Sequence, residues 1–169
     1  MNEKLPIGRH VSVLFVCMAN ICRSPTAEGV FRARAARAGI ISQLRIDSAG
    51  THDYYIGGPP DWRATQLALK RGYDITALRA RQFGVADFLR FDRIYAMDHM
   101  NLRVLEGLRP QEYRGILGLF LDVAPVLGVR EVPDPYDGGP EDFETVLDML
   151  EDAAEGLLET ILSGQAVKR

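Results

Sequence analysis

The chain has 169 residues, 47% of them hydrophobic and 25% charged, with a net charge of −3. That profile fits a single soluble globular domain over 1–169 and excludes disordered, collagen-like and coiled-coil classes. Two cysteines, Cys17 and Cys22, are too few for a disulfide scaffold, and a reducing cytoplasm is the expected compartment.

In chain order, residues 1–9 read as a flexible end. His10–Val16 centres on an apolar β-branched run, the pattern of a strand buried on both faces. Ser24-Pro25 reads as a helix start, with Ser24 at the cap, and the helix is expected to run to Ala38 and stop at Gly39. Leu44–Ser48 is a second short strand. Ala49 to Pro60, with three glycines, two prolines and two tyrosines, is a long loop of the kind that carries function. Asp61 caps a helix to about Arg71, ended by Gly72. Val85–Phe91 reads as a short helix and Arg93–Ala96 as a third strand. Asp98 caps a helix through about Leu105, and Ile116–Leu119 is a weaker fourth strand. Phe143, Val146, Leu147, Leu150, Ala153, Ala154, Leu157 and Ile161 follow helical spacing behind Pro140. Residues 163–169 read as a second flexible end. Strands alternating with helices imply an α/β fold with a parallel sheet.

No apolar run reaches the ~20 residues of a bilayer span. Met1 to His10 lacks the apolar segment and cleavage site of a signal peptide. Membrane insertion is therefore not expected. Charge is uneven. Residues 131–160 carry 11 acids and no Lys or Arg, the pattern of a solvated helix face. Residues 1–130 carry 18 Lys and Arg against 12 Asp and Glu, which favours an anionic substrate. The basic residues form no run with interleaved aromatics, so nucleic acid is not an expected partner. His10, His52 and His99 are scattered without metal-ligand spacing, and no metal or other cofactor is expected.

The chemistry concentrates after the first strand, in Cys17-Met18-Ala19-Asn20-Ile21-Cys22-Arg23-Ser24-Pro25. A loop between a strand end and a helix start lies where α/β folds bind ligands. Its backbone N–H groups and the helix dipole favour a dianion such as phosphate. Arg23 adds a planar fork suited to two phosphate oxygens. Cys17, at the floor of that cup, shares the positive field, which favours the thiolate, a nucleophile aimed at phosphorus. The plainer reading of Cys17 is a small buried hydrophobe at a strand end. Far along the chain, Asp134 stands between Pro133 and Pro135, which stiffen its loop. A carboxylic acid so placed can protonate a leaving phenolate. Asp-Pro is also common in turns, and the residues alone leave both readings open.

These motifs resemble the low-molecular-weight protein tyrosine phosphatase family, whose signature is C-x-G-N-x-C-R-S-P early in the chain and D-P-Y near its end. Further matches are Asp47-Ser48-Ala49-Gly50, Ile56-Gly57, Ala80-Arg81-Gln82, Met97-Asp98 with Asn101-Leu102, and Asp142-Phe143-Glu144-Thr145, so the resemblance runs from about His10 to Leu162. It implies a three-layer α/β sandwich of the flavodoxin-like, phosphotyrosine phosphatase I-like type, a four-stranded parallel sheet with helices on both faces. It implies Cys17 as nucleophile, Arg23 as phosphate ligand and Asp134 as general acid and base. Met18, Ala19, Asn20, Ile21 and Cys22 would form the phosphate loop, supported by Ser24 and Ser48, with the Ser24 hydroxyl stabilising the departing thiolate. Ile21, Tyr54 and Tyr136 would wall the substrate pocket, with Tyr55 a second candidate for the aromatic wall. A phosphotyrosine protein is the implied substrate, with tyrosine autokinases or their substrates as bacterial partners, phosphate as product, and a monomer or weak oligomer as the assembly.

Two positions depart from the family pattern. Ala19 replaces the usual glycine, so Asn20, which tolerates φ > 0, is expected to take the left-handed conformation. Asp137 replaces a second tyrosine, removing aromatic surface and adding negative charge at the mouth. Cys22 is either a small packed side chain or a resolving cysteine that captures oxidised Cys17. Ile21 and Tyr136 favour phosphotyrosine over phosphoarginine, the substrate of a sister activity. An arsenate reductase needs further downstream cysteines, and none follows Cys22. A non-catalytic phosphate-binding module would not need all three catalytic residue types.

Overall fold

The computed structural model describes residues 10–124 and 126–164. Its centre is a parallel four-stranded sheet, in the order β2-β1-β3-β4, built from β1 (Val11–Cys17), β2 (Leu44–Gly50), β3 (Arg93–Ala96) and β4 (Ile116–Leu119). Side chains of β1 alternate between two cores, as period-2 geometry requires. Val13, Phe15 and Cys17 face a core shared with α1 (Arg23–Arg37) and α5 (Pro140–Ser163). Leu14 and Val16 face a smaller one with Phe83, Phe88, Leu105 and Tyr113, on the side of α3 (Asp87–Arg90) and α4 (His99–Leu108). Helices thus cover both faces, and α2 (Trp62–Lys70) packs beside α5. The three-layer α/β expectation holds.

From β1 the chain crosses to β2 on one side, then returns to β3 on the other. The crossovers diverge at the carboxyl end of β1, where open α/β sheets form their ligand crevice. Cys17 is the last residue of β1, paired in register with Gly50 of β2. A Cβ on Gly50 would lie 2.7 Å from the Met18 carbonyl oxygen, so glycine is what lets β2 approach the following loop.

Several boundaries differ from the sequence reading. Helix α1 begins at Arg23, one residue before the expected Ser24 cap, and its cap residue is Cys22, with no side-chain cap bond. Ser24 lies inside the first turn because its hydroxyl serves the loop instead. The segment expected to be helical over Val85–Phe91 is helical only at Asp87–Arg90, because the turn before it closes with tighter bonds, Asp87 N–H to the Gly84 carbonyl at 2.9 Å and Phe88 N–H to that of Val85 at 3.1 Å, while the buried Asp87 carboxylate accepts from Gly84 N–H and Arg81. Helix α4 continues to Leu108. Ser163 still belongs to α5, whose last turn is held by the buried Ile161, and Gly164 ends it at φ 66°. The rest of that expected end, and residues 1–9, lie outside the described residues. No described helix is long and apolar enough to cross a membrane.

Candidate active site

Residues 18–22 curl between β1 and α1. The loop's carbonyls turn outward: Cys17 accepts from Thr51 N–H (2.9 Å), Met18 from His52 N–H (2.9 Å) and Ile21 from Asp61 N–H (2.8 Å). A loop with its carbonyls turned out presents its N–H groups inward, as an anion cup. Asn20 is the one non-glycine residue with positive φ among the described residues, at 56°, so Ala19 is spared that strain. The Asn20 side chain secures the turn. Its Oδ1 accepts from Arg81 N–H at 3.0 Å, and its Nδ2 donates to Ser24 Oγ (2.8 Å) and Ser48 Oγ (3.0 Å).

The direction of this network follows from proton counting. Glu28, buried in α1, accepts from Ser48 Oγ at 2.7 Å, which commits the Ser48 proton. Ser48 can then only accept from Asn20, and Asn20 donates its other proton to Ser24. The single Ser24 proton remains for Cys17 Sγ, 3.0 Å away, or for the Ala49 carbonyl at 3.3 Å. A hydroxyl donor therefore stands ready beside the sulfur whenever it carries charge. Burial pushes the Glu28 carboxyl above its ordinary range, against the pull of Ser48 and Arg32.

Arg23 is 2% exposed. Its guanidinium donates to Asp98 Oδ2 at 2.6 Å and to the Val132 carbonyl at 3.0 Å, and lies 3.5 Å from Asp134. Burial works against its charge, but Cys17, Asp98 and Asp134 together hold it above its ordinary value. The sequence reading used Asp98 only as a helix cap and family match. It is both cap and arginine partner, with Oδ1 accepting from Asn101 N–H at 2.8 Å while Oδ2 takes Arg23.

A cavity of about 160 Å³ opens above the cup, with Cys17, Arg23 and Cys22 in its lining together with Met18, Ala19 and Ile21. Tyr54, Tyr55, Asp134 and Tyr136 complete the wall. Asn20, Ser24 and Ser48 stand behind the loop. Of the two aromatic candidates, Tyr55 meets Tyr136, their hydroxyls 3.2 Å apart, while Tyr54 stacks on His52. Burial pushes the Cys22 thiol up, with Asp61 and Cys17 adding to the effect. Among the described residues, no group of three or more His, Cys, Asp and Glu could hold a metal ion. Sequence reasoning missed Glu28 and Asp98 as members of the site, because Ser48 and Arg23, which they hold, lie far along the chain.

A buried thiol and arginine at a strand-to-helix cup, with a carboxylate at the rim, define a phosphatase-type site on a parallel α/β sheet. The family described as low molecular weight phosphotyrosine protein phosphatase matches residues 12–167, and the chain belongs to it. It is 39% identical over 154 residues to the low molecular weight phosphotyrosine protein phosphatase of Schizosaccharomyces pombe, covering 90% of this chain and 98% of that one. The crystal structure of a protein tyrosine phosphatase from Entamoeba histolytica superposes with a TM-score of 0.88 at 37% identity, covering 91% of this chain and 98% of the other. A Drosophila arginine phosphatase superposes at 0.81 with 28% identity, covering 87% and 95%. The protein is accordingly a hydrolase.

Proposed function

We propose that the protein hydrolyses phosphotyrosine in proteins through a phosphocysteine intermediate, without a metal ion. The observation that carries this reading is the convergence of Cys17, Arg23 and Asp134 on one cavity, with Ser24 Oγ 3.0 Å from the Cys17 sulfur. The Cys17 thiolate attacks phosphorus and the bond to the phenolic oxygen breaks. Asp134 delivers its proton to that oxygen, and tyrosine leaves. Water then attacks the phosphocysteine, Asp134 takes its proton, and the S–P bond breaks to release phosphate. Ser24 donates to the sulfur as it regains charge, and Arg23 holds the equatorial oxygens throughout. In a reducing cytoplasm both thiols would stay free for this chemistry, with a tyrosine kinase or its targets supplying the substrate.

Ile21, Tyr54, Tyr55 and Tyr136 give the cavity apolar and aromatic walls that a phenyl ring can fill, whereas a phosphoserine side chain cannot reach walls and loop together. The likeness to an arginine phosphatase keeps phosphoarginine as a second reading. Comparison of kcat/KM for matched phosphotyrosine, phosphoserine and phosphoarginine peptides decides. A wide preference for phosphotyrosine, abolished by Cys17→Ser in a folded protein, supports the proposal. Comparable values for the three peptides, or activity surviving Cys17→Ser, would sink it.

A further inference from the structure

We infer that Arg63 is a positioning residue for the general acid. It fixes the segment that carries Asp134 and Tyr136 to the phosphate loop. The inference rests on the phosphatase reading above.

The Arg63 guanidinium pairs side-on with the Asp61 carboxylate, Nε to Oδ1 at 3.1 Å and an NH2 nitrogen to Oδ2 at 3.0 Å. The same terminal nitrogen donates to the Tyr136 carbonyl at 3.0 Å. Its central carbon lies over the Phe143 ring, 4.6 Å from the centroid, and 5.5 Å from that of Tyr136. Asp61 is no free anchor. Its side chain caps α2 by accepting from Arg63 N–H at 2.8 Å, and its own N–H donates to the Ile21 carbonyl at 2.8 Å. One continuous path thus runs from the phosphate loop through Asp61 and Arg63 to the residue two places beyond Asp134.

That path matters because the segment's other ties across the cavity are side-chain contacts, Arg23 3.5 Å from Asp134 and the Tyr55 hydroxyl 3.2 Å from that of Tyr136. Among the described residues, the other backbone hydrogen bonds of residues 133–139 stay within the segment or reach α5: Tyr136 N–H to Asp134 Oδ1, Gly138 N–H to the Pro135 carbonyl, and Gly139 N–H to Asp142. Asp134 and Tyr136 are both exposed at the rim. A general acid must sit within hydrogen-bond reach of the leaving oxygen, and an ångström of drift is costly. Lysine cannot substitute, since it lacks the planar fork that serves carboxylate, carbonyl and ring together.

The test uses the full-length protein, Arg63→Ala and Arg63→Lys, and two substrates: phenyl phosphate, whose leaving group needs a proton, and an aryl phosphate whose leaving group departs without one. Both variants should lose roughly ten- to hundredfold in kcat/KM on phenyl phosphate, which reports the acid-assisted first step, and far less in kcat/KM on the other substrate. In an Asp134→Ala background, Arg63→Ala should cost almost nothing further on phenyl phosphate, because the group it positions is gone. The rate of Cys17 alkylation by iodoacetate should stay at the wild-type value. The inference is overturned by equal losses on both substrates, by slowed alkylation, by additive losses in the double variant, or by full activity of Arg63→Lys. Wild type inactive on either substrate would instead strike the phosphatase reading itself.

Discussion

Asp98 Oδ2 lies 2.6 Å from the Arg23 guanidinium, and this pair joins the first turn of α1 to the start of α4 beside the loop of residues 18–22. Asp98 is the nearer of two carboxylates beside a cation that is 2% exposed, with Asp134 at 3.5 Å. Removing Asp98 leaves Arg23 to be balanced by Asp134 and Cys17 alone, a cost of about 3 kcal/mol or less because Asp98 is 20% exposed. Asp98→Asn keeps a cap for α4 but loses the charge. It should lower the unfolding midpoint in phosphate-free buffer. Inorganic phosphate, by supplying the missing charge, should then raise that midpoint more than it does in wild type. Equal phosphate-induced shifts in the two proteins would show that Asp98 does not balance Arg23.

How far the sequence alone could reach is visible in these same residues. Arg93–Ala96 and Ile116–Leu119 were legible as strands, and Pro140 as a helix start, because local pattern and burial agree there. The order Cys17 to Pro25 carried the cup, since strand, loop and helix start are contiguous. Asn20 could be assigned the positive φ because few side chains tolerate it. The bond from Arg23 to Asp98 spans 75 positions and that from Arg63 to Tyr136 spans 73, and no local periodicity encodes either. Ser24 was misread as a cap for a physical reason: a serine before proline satisfies the capping pattern, while tertiary structure had claimed its hydroxyl for Cys17 and Asn20.

Asp134→Ala or Asp134→Asn should lower kcat/KM by roughly 10²–10⁴ on substrates with poor leaving groups, the usual contribution of general acid catalysis to the first step. The loss should shrink steadily as the leaving phenol becomes more acidic. A series of substituted phenyl phosphates measures this directly, and a loss independent of phenol acidity would remove Asp134 from the acid role.

Asp61 supplies a pH dependence with a definite sign. Burial opposes its charge, but the side chain and backbone of Arg63 more than offset this, so the folded carboxyl sits below its ordinary value. A carboxyl held low contributes stability that is complete above the ordinary aspartate value of about 3.9 and is lost as pH falls through the folded value. Asp61→Asn should therefore destabilise the protein by a constant amount from pH 7 to about pH 5, and the gap to wild type should close below about pH 4. Urea unfolding at a series of pH values checks this. A gap that persists undiminished at pH 3 would mean that Asp61 acts as a neutral cap and not through its charge.

Cys22 offers the last test, and the two readings of it diverge under peroxide. Cys17 and Cys22 both line the same cavity and both are free thiols. Burial pushes the Cys22 thiol up, so at neutral pH it stays protonated and unattractive to peroxide. Peroxide would then oxidise the Cys17 thiolate to the sulfenic acid, releasing hydroxide. Attack by the Cys22 sulfur would form the S–S bond, break the S–O bond and release water, and a dithiol would reverse the disulfide by exchange. Without capture, a second peroxide carries Cys17 to the sulfinic acid, which dithiols do not reduce. Cys22→Ser should leave turnover of the reduced enzyme largely intact. After peroxide treatment, dithiothreitol should restore wild type but not Cys22→Ser, and mass spectrometry of oxidised wild type should find the two sulfurs joined. The packing reading predicts otherwise. Cys22 also borders a small apolar gap with Pro135 and Phe143, and a side chain retained only to fill that space would leave recovery equal in the two proteins. Equal recovery, or sulfinic Cys17 beside an unmodified Cys22 in wild type, would assign Cys22 to packing alone.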